Sequence, residues 1–159
     1  MADNFLQFSA EIPKLNDEER AWAKAHLDLF GDEAPQEGDK NYEEFTELIG
    51  VYELDCDDDT LGFDWQVDND LWIYGELSGN PDHVAAFVQM FLKKFRPEDA
   101  FAMSWSTTCS KMRIDEFGGG AIFVTADKVE WMNAWDWCDN KWKEFRGKKE
   151  VLDQIGGGK

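Results

Sequence analysis

LGFDWQVDNDLWIYGELSGNPDHVAAFVQMFLKKF, residues 61–95, is the stretch on which the fold turns. Leu61, Phe63, Trp65 and Val67 alternate with Gly62, Asp64, Gln66 and Asp68, the period of two that a strand with one wet face requires. Asp68-Asn69-Asp70 supplies turn chemistry, and the alternation resumes from Leu71 to Leu77, so residues 61–77 read as a hairpin. The period then changes. After Asn80-Pro81-Asp82, a helix start with proline in the first turn, Val84, Phe87, Val88, Phe91 and Phe95 share one helical stripe. Lys93 and Lys94 suit the negative end of that helix, which the pattern stops at about Phe95, with Pro97 beyond it.

Working towards the N-terminus, Leu6, Phe8, Ala10 and Ile12 predict a strand ended by Pro13. Asn16 and Glu19 have the spacing of a capping box, and Trp22, Ala25, His26, Leu29 and Phe30 continue it as an amphipathic helix stopped at Gly31. Residues 31–41 read as an acidic loop and Tyr42–Ile49 as a short helix. Tyr52, Leu54 and Cys56 alternate with Glu53, Asp55 and Asp57, which predicts a further strand. Towards the C-terminus, Phe101–Thr107 and Ala121–Ala126 read as strands joined by a loop that contains Gly118-Gly119-Gly120. Asp127 and Glu130 then cap a last helix to about Arg146, with Trp131, Ala134, Trp135, Cys138, Trp142 and Phe145 on its buried stripe. The expectation is an α+β fold: a mainly antiparallel sheet with helices packed on one face, a ββαββα core preceded by an N-terminal strand and helix. A single domain over residues 1–159 divides into an acidic part (17–82), a neutral part (83–150) and a loose tail (151–159).

The charge is distributed unevenly. The chain has 34 Asp and Glu against 16 Lys and Arg, a net charge of -18. Residues 17–82 hold 21 acids and only Arg20, Lys24 and Lys40 as bases, so this stretch alone carries -18, and the flanks, at -1 and +1, cancel. Such a balance argues against direct binding to nucleic acid or an anionic membrane and points to basic partners. No apolar run approaches the ~20 residues that span a bilayer, and the start lacks a basic, then apolar, signal. The expected location is the cytoplasm, with Cys56, Cys109 and Cys138 as free thiols.

No metal or cofactor is expected. Asp55, Asp57 and Asp59 match the first half of a calcium loop, but Thr60 stands where that loop needs glycine and Gln66 where it needs a bidentate glutamate. The glycine triplet lacks the strand-to-helix setting and the lysine of a phosphate loop, and suits a turn or a close backbone approach. Thr107, Thr108, Cys109, Ser110, Lys111 and Arg113 form a polar cluster able to hold a small anion. Cys109 as a nucleophile would need His26 or His83 as its base; His26 falls on an apolar stripe, and the first helical turn disfavours a charged His83.

The segment from Leu71 to Trp142, with LWIYGELSGN (71–80), FLKKFRPEDAF (91–101), TTCSKMR (107–113) and EFGGGAIFVTAD (116–127), resembles small acidic proteins of bacterial or phage origin. That resemblance implies no activity and no site residue. The function expected from the residues is a non-enzymatic acidic inhibitor. It would mimic nucleic acid and block the basic groove of a bacterial defence or DNA-processing protein, in an anti-defence or immunity-type role. The candidate contact residues are Glu53, Asp55, Asp57, Asp64, Asp68 and Glu76, with Trp72 and Tyr74 as aromatic anchors sharing a strand face with Glu76. The alternatives are a small enzyme or anion-binding protein centred on Thr107–Arg113 and Gly118–Gly120, and an acidic housekeeping protein with no charge-driven partner.

Overall fold

The computed structural model describes residues 1–55 and 60–156. The elements follow in the order β1 (Asn4–Ile12), α1 (Asp17–Asp28), α2 (Tyr42–Val51), β2 (Asp64–Val67), β3 (Leu71–Gly75), α3 (Pro81–Phe95), β4 (Ala100–Cys109), β5 (Gly118–Thr125), β6 (Val129–Asn133) and α4 (Ala134–Gly156). Six strands make one sheet in the order β2-β3-β1-β4-β5-β6, every neighbouring pair antiparallel. The fold is α+β, with an N-terminal strand and two helices, α1 and α2, preceding the β2–β3 hairpin.

Local chemistry sets the helix starts. Asn16 Oδ1 accepts the Glu19 N–H while Glu19 Oε2 accepts the Asn16 N–H, a complete capping box for α1. Asn80 caps α3 by accepting the Asp82 N–H, and Arg96 follows at the other end. α3 lays Phe87, Val88, Phe91 and Val84, all fully buried, against the sheet residues Ile73, Ile122 and Val124. Trp22 of α1 sits among Phe87, Phe91 and Phe95, and Phe45 of α2 meets Phe30 with ring centres 5.4 Å apart. His26 is buried in this aromatic layer, its Nε2 2.8 Å from the Tyr52 hydroxyl. Burial moves the imidazole down to about 4 and pushes the Tyr52 hydroxyl up, so both are neutral.

Four expectations need correction. Tyr52 and Leu54 are not in a strand: α2 runs to Val51, Tyr52 caps it, and Glu53 turns the chain with φ 53°. The buried Tyr52–His26 bond holds the tyrosine in the helix layer, away from any ladder. Cys56 and Asp57–Asp59 lie outside the described residues, and with them most of the calcium-loop match. Gly118–Gly120 belongs to β5, where close approach explains it: a side chain on Gly118 would strike the Trp135 indole, and one on Gly120 the Trp105 ring and the Met132 carbonyl. Val129–Asn133 is strand β6 and not the first turn of the last helix, because pairing with β5 supplies the backbone bonds. α4 therefore starts at Ala134, continues past Arg146 through residues 151–156, and buries none of its described side chains.

Candidate functional site

Register places the aromatic anchors on the sheet face opposite the core. In β3, Leu71 and Ile73 are buried, so Trp72 and Tyr74 point the other way. Asp64 of β2 and Ser9 of β1 flank Tyr74, while Gln66 and Glu11 flank Trp72. The two rings stack with centres 4.1 Å apart and planes 24° apart, and Trp72 Nε1–H donates to Ser9 Oγ at 2.9 Å. The indole is thereby fixed while 43% of Trp72 stays exposed. On ordinary sheet spacing, Asp64 and Glu11 stand at opposite corners of this pair, about 12 Å apart. None of the six described strands contains Lys or Arg, so nothing in the ladder itself neutralises these acids.

Of the other acids expected at this surface, Glu53 and Asp55 do not join the sheet. Glu53 and Asp55 are exposed beside the C-terminus of α2, in the helix layer. Asp68 sits in the β2–β3 turn and accepts from Gln66 Nε2; Glu76 follows β3, exposed, with its carbonyl accepting from Gln7 Nε2. Asp57 is outside the described residues. Tyr52–Asp55 do not form the expected strand, and that takes Glu53 and Asp55 out of the ladder. Glu11 is the member that sequence reasoning missed. Its alternation within β1 was visible, but its place beside Trp72 depends on a pairing 61 residues away in the chain.

Exposure of the acids is nonetheless general. Of the 21 acids in residues 17–82, 18 are described, and Glu19 alone of these is buried. Among the described residues, only Asp17, with Arg20, and Glu19, with Arg96, form ion pairs in that stretch. Arg96 grips both Glu19 carboxylate oxygens at 2.9 Å, and these bonds hold the Glu19 carboxyl below its usual value.

The polar cluster at the end of β4 is arranged differently from an anion cradle. Thr107 and Thr108 border a cavity of about 480 Å³ together with Asn4, Leu77, Asp115 and Glu116. The carboxylates give that cavity acidic walls, and Glu116 Oε2 is buried there without a partner among the described residues. Lys111 and Arg113 are exposed, Arg113 lying 4.0 Å from Glu116 Oε1, and Ser110 is tied to Asp3 through its hydroxyl and its N–H. Cys109 pairs with Asn4 in the sheet. His83 Nδ1 accepts the Gly62 N–H, and its ring stands 5.7 Å from Tyr52, in the helix layer. Among the described residues, no cluster of His, Cys, Asp and Glu has a metal-binding arrangement, and no helix is long and apolar enough to cross a membrane. No protein family, curated protein or solved structure matches this chain.

Proposed function

We propose that this chain is a non-enzymatic inhibitor that uses its acidic surface to occupy the nucleic-acid groove of a basic protein in the bacterial cytoplasm, as an anti-defence or immunity-type factor. The observation that carries this reading is the state of residues 17–82, where 17 of the 18 described acids are exposed and one of those 17 has a basic partner. Unpaired carboxylates at this density repel one another and reduce stability, so their retention makes sense where an opposite charge array arrives. The stacked Trp72–Tyr74 pair supplies what carboxylates alone lack, a rigid apolar anchor that distinguishes one basic protein from another.

The test begins with the tagged chain as bait in bacterial lysate at ~50 mM and ~500 mM salt, because charge-led binding weakens as the Debye length shortens. The captured partner is then titrated with double-stranded DNA while bound to the chain. Mimicry requires that DNA and the chain displace each other. A ternary complex in which the partner holds both, or capture that ignores salt, would overturn the proposal.

A further inference from the structure

We propose that α4 is a self-association arm, and that two copies of this chain pair their α4 helices antiparallel along Trp135, Cys138, Trp142, Phe145, Lys149 and Leu152. Those positions follow the 3-4-3-4-3 spacing of a two-helix seam, apolar except for Lys149. Trp135 packs at Gly118 and is 41% exposed, while beyond it exposure rises to 58% at Trp142, under the Arg146 guanidinium, 59% at Phe145 and 67% at Leu152. A helix of 23 residues extends ~35 Å, and isolated helices draw little stability from propensity alone. An amphipathic helix of this length calls for a partner along its stripe.

Charge identifies the occupant. α4 contains five acids and five bases, so its net charge is zero and the remainder of the chain carries the whole -18. A second copy is repelled by the acidic body of the molecule and can approach here. Charge also sets the direction. Parallel helices would oppose Lys149 to Lys149 and bring the two acidic bodies side by side. In the antiparallel arrangement, Trp142 faces the partner's Phe145, Trp135 faces the partner's Leu152, and Lys149 faces the partner's Cys138. Asp139 then lies beside the partner's Arg146 and Lys141 beside the partner's Lys148, each twice over by symmetry, so separation of the two acidic bodies decides the direction. The midpoint falls between residues 143 and 144, which puts the two helix starts ~28 Å apart, more than three Debye lengths at physiological salt.

The area is sufficient. Aromatic side chains offer ~150–250 Å² each, so the half-exposed Trp135, Trp142 and Phe145 of the seam leave roughly 300 Å² per chain. Doubled, and with Leu152, Cys138 and the flanking lysine stems added, the pair comes to the ~1,200 Å² at the lower end of a stable interface.

The experiment is sedimentation equilibrium of the full chain from ~1 to ~100 μM in 0.15 M salt. The expected species is twice 18.3 kDa. Trp142→Glu with Phe145→Glu should weaken dimerisation roughly 100-fold. Because that variant could simply melt α4, a charge exchange provides the second reading: Asp139→Arg should weaken the dimer and Asp139→Arg with Arg146→Asp should restore it. A wild type that stays monomeric at ~100 μM would overturn the proposal. So would a dimer indifferent to the double glutamate variant, or an exchange that fails to rescue. Rapid Cys138–Cys138 disulfide formation would overturn the antiparallel arrangement, which holds those residues ~16 Å apart. The glutamate variant leaves residues 17–82 untouched, so binding of a basic partner is measured separately and can fail independently.

Discussion

Replacing Arg96 with methionine removes the one described base from outside residues 17–82 that reaches an acid within them. The guanidinium donates from Nε to Glu19 Oε1 and from Nη2 to Glu19 Oε2, both at 2.9 Å, and Nη2 also donates to the Pro13 and Lys14 carbonyls at 3.0 and 3.1 Å. Without it Glu19, 4% exposed, keeps only the Asn16 N–H. Stranding one member of a buried pair costs ~3–5 kcal/mol, and the position of Glu19 in the first turn of α1, from which it can rotate towards water, sets the expected loss at ~3 kcal/mol. For a chain of this size that is a fall of ~6–12 °C in Tm. Urea and thermal unfolding followed by circular dichroism measure it, and a pH series identifies the cause. The Arg96 bonds hold the Glu19 carboxyl below its unfolded value of about 4.3, so their stabilisation is complete above that pH and is lost as pH falls through the folded value. The difference between wild type and Arg96→Met should therefore be widest near neutrality and shrink in acid. A variant within ~1 kcal/mol of wild type, or a gap unchanged at about pH 3, would refute the reasoning.

His26 should impose a second acid dependence: burial lowers its value to about 4, so the unfolded chain takes up the proton first, and stability falls by ~3 kcal/mol between about pH 6.5 and 4 before levelling. Following the His26 ring by NMR beside the unfolding curves checks it, and a ring that titrates near 6.5 in the folded protein contradicts it. Trp72→Ala should fold, because the indole is exposed, yet lose ~30-fold or more in affinity for the basic partner, whereas Asp64→Asn should mainly slow association in surface plasmon resonance. Equal, small effects from both would remove Trp72–Tyr74 from the interface. Gly120→Ala should cost ~1–3 kcal/mol in urea unfolding, since the new methyl meets the Met132 carbonyl and the Trp105 ring; a neutral result would show that the neighbouring strands yield there.

The elements that could be read from sequence are those whose signals are local. Asn80, Pro81 and the Val84–Phe95 stripe define α3 without outside help, and the Asn16–Glu19 box defines α1. Alternation from Tyr52 onwards misled at Tyr52 and Leu54, because so short a pattern cannot register that Tyr52 is held by His26, 26 positions earlier. Val129–Asn133 misled in the opposite sense: Trp131, Ala134 and Trp135 have helical spacing, but the open edge of β5 captures the segment first. At the candidate site, period alone places Trp72, Tyr74 and Asp64 on one face. Glu11 and Ser9 required the β1–β3 pairing, and the exposure of α4 required knowing that the core is complete without it.

The central position of β1 governs how the chain can be made. Its partners are β3 and β4, so closing its ladders joins Ile12 to Leu71, 59 residues on, and Asn4 to Cys109, 105 residues on. At a synthesis rate of ~5–20 residues per second, β1 leaves the ribosome ~5–20 s before β4 is complete. During that interval the β2–β3 hairpin can form locally, and the β4–β5 hairpin follows once residues 118–125 are made, each presenting to β1 an unpaired edge that any other extended chain could fill. Insertion of β1 between them is then the step that turns two hairpins into one sheet. A β1 that is delayed, weakened by substitution or held back by a bulky fusion at its start would leave both edges open, and the expected failure is aggregation during expression from a sequence that is stable once folded.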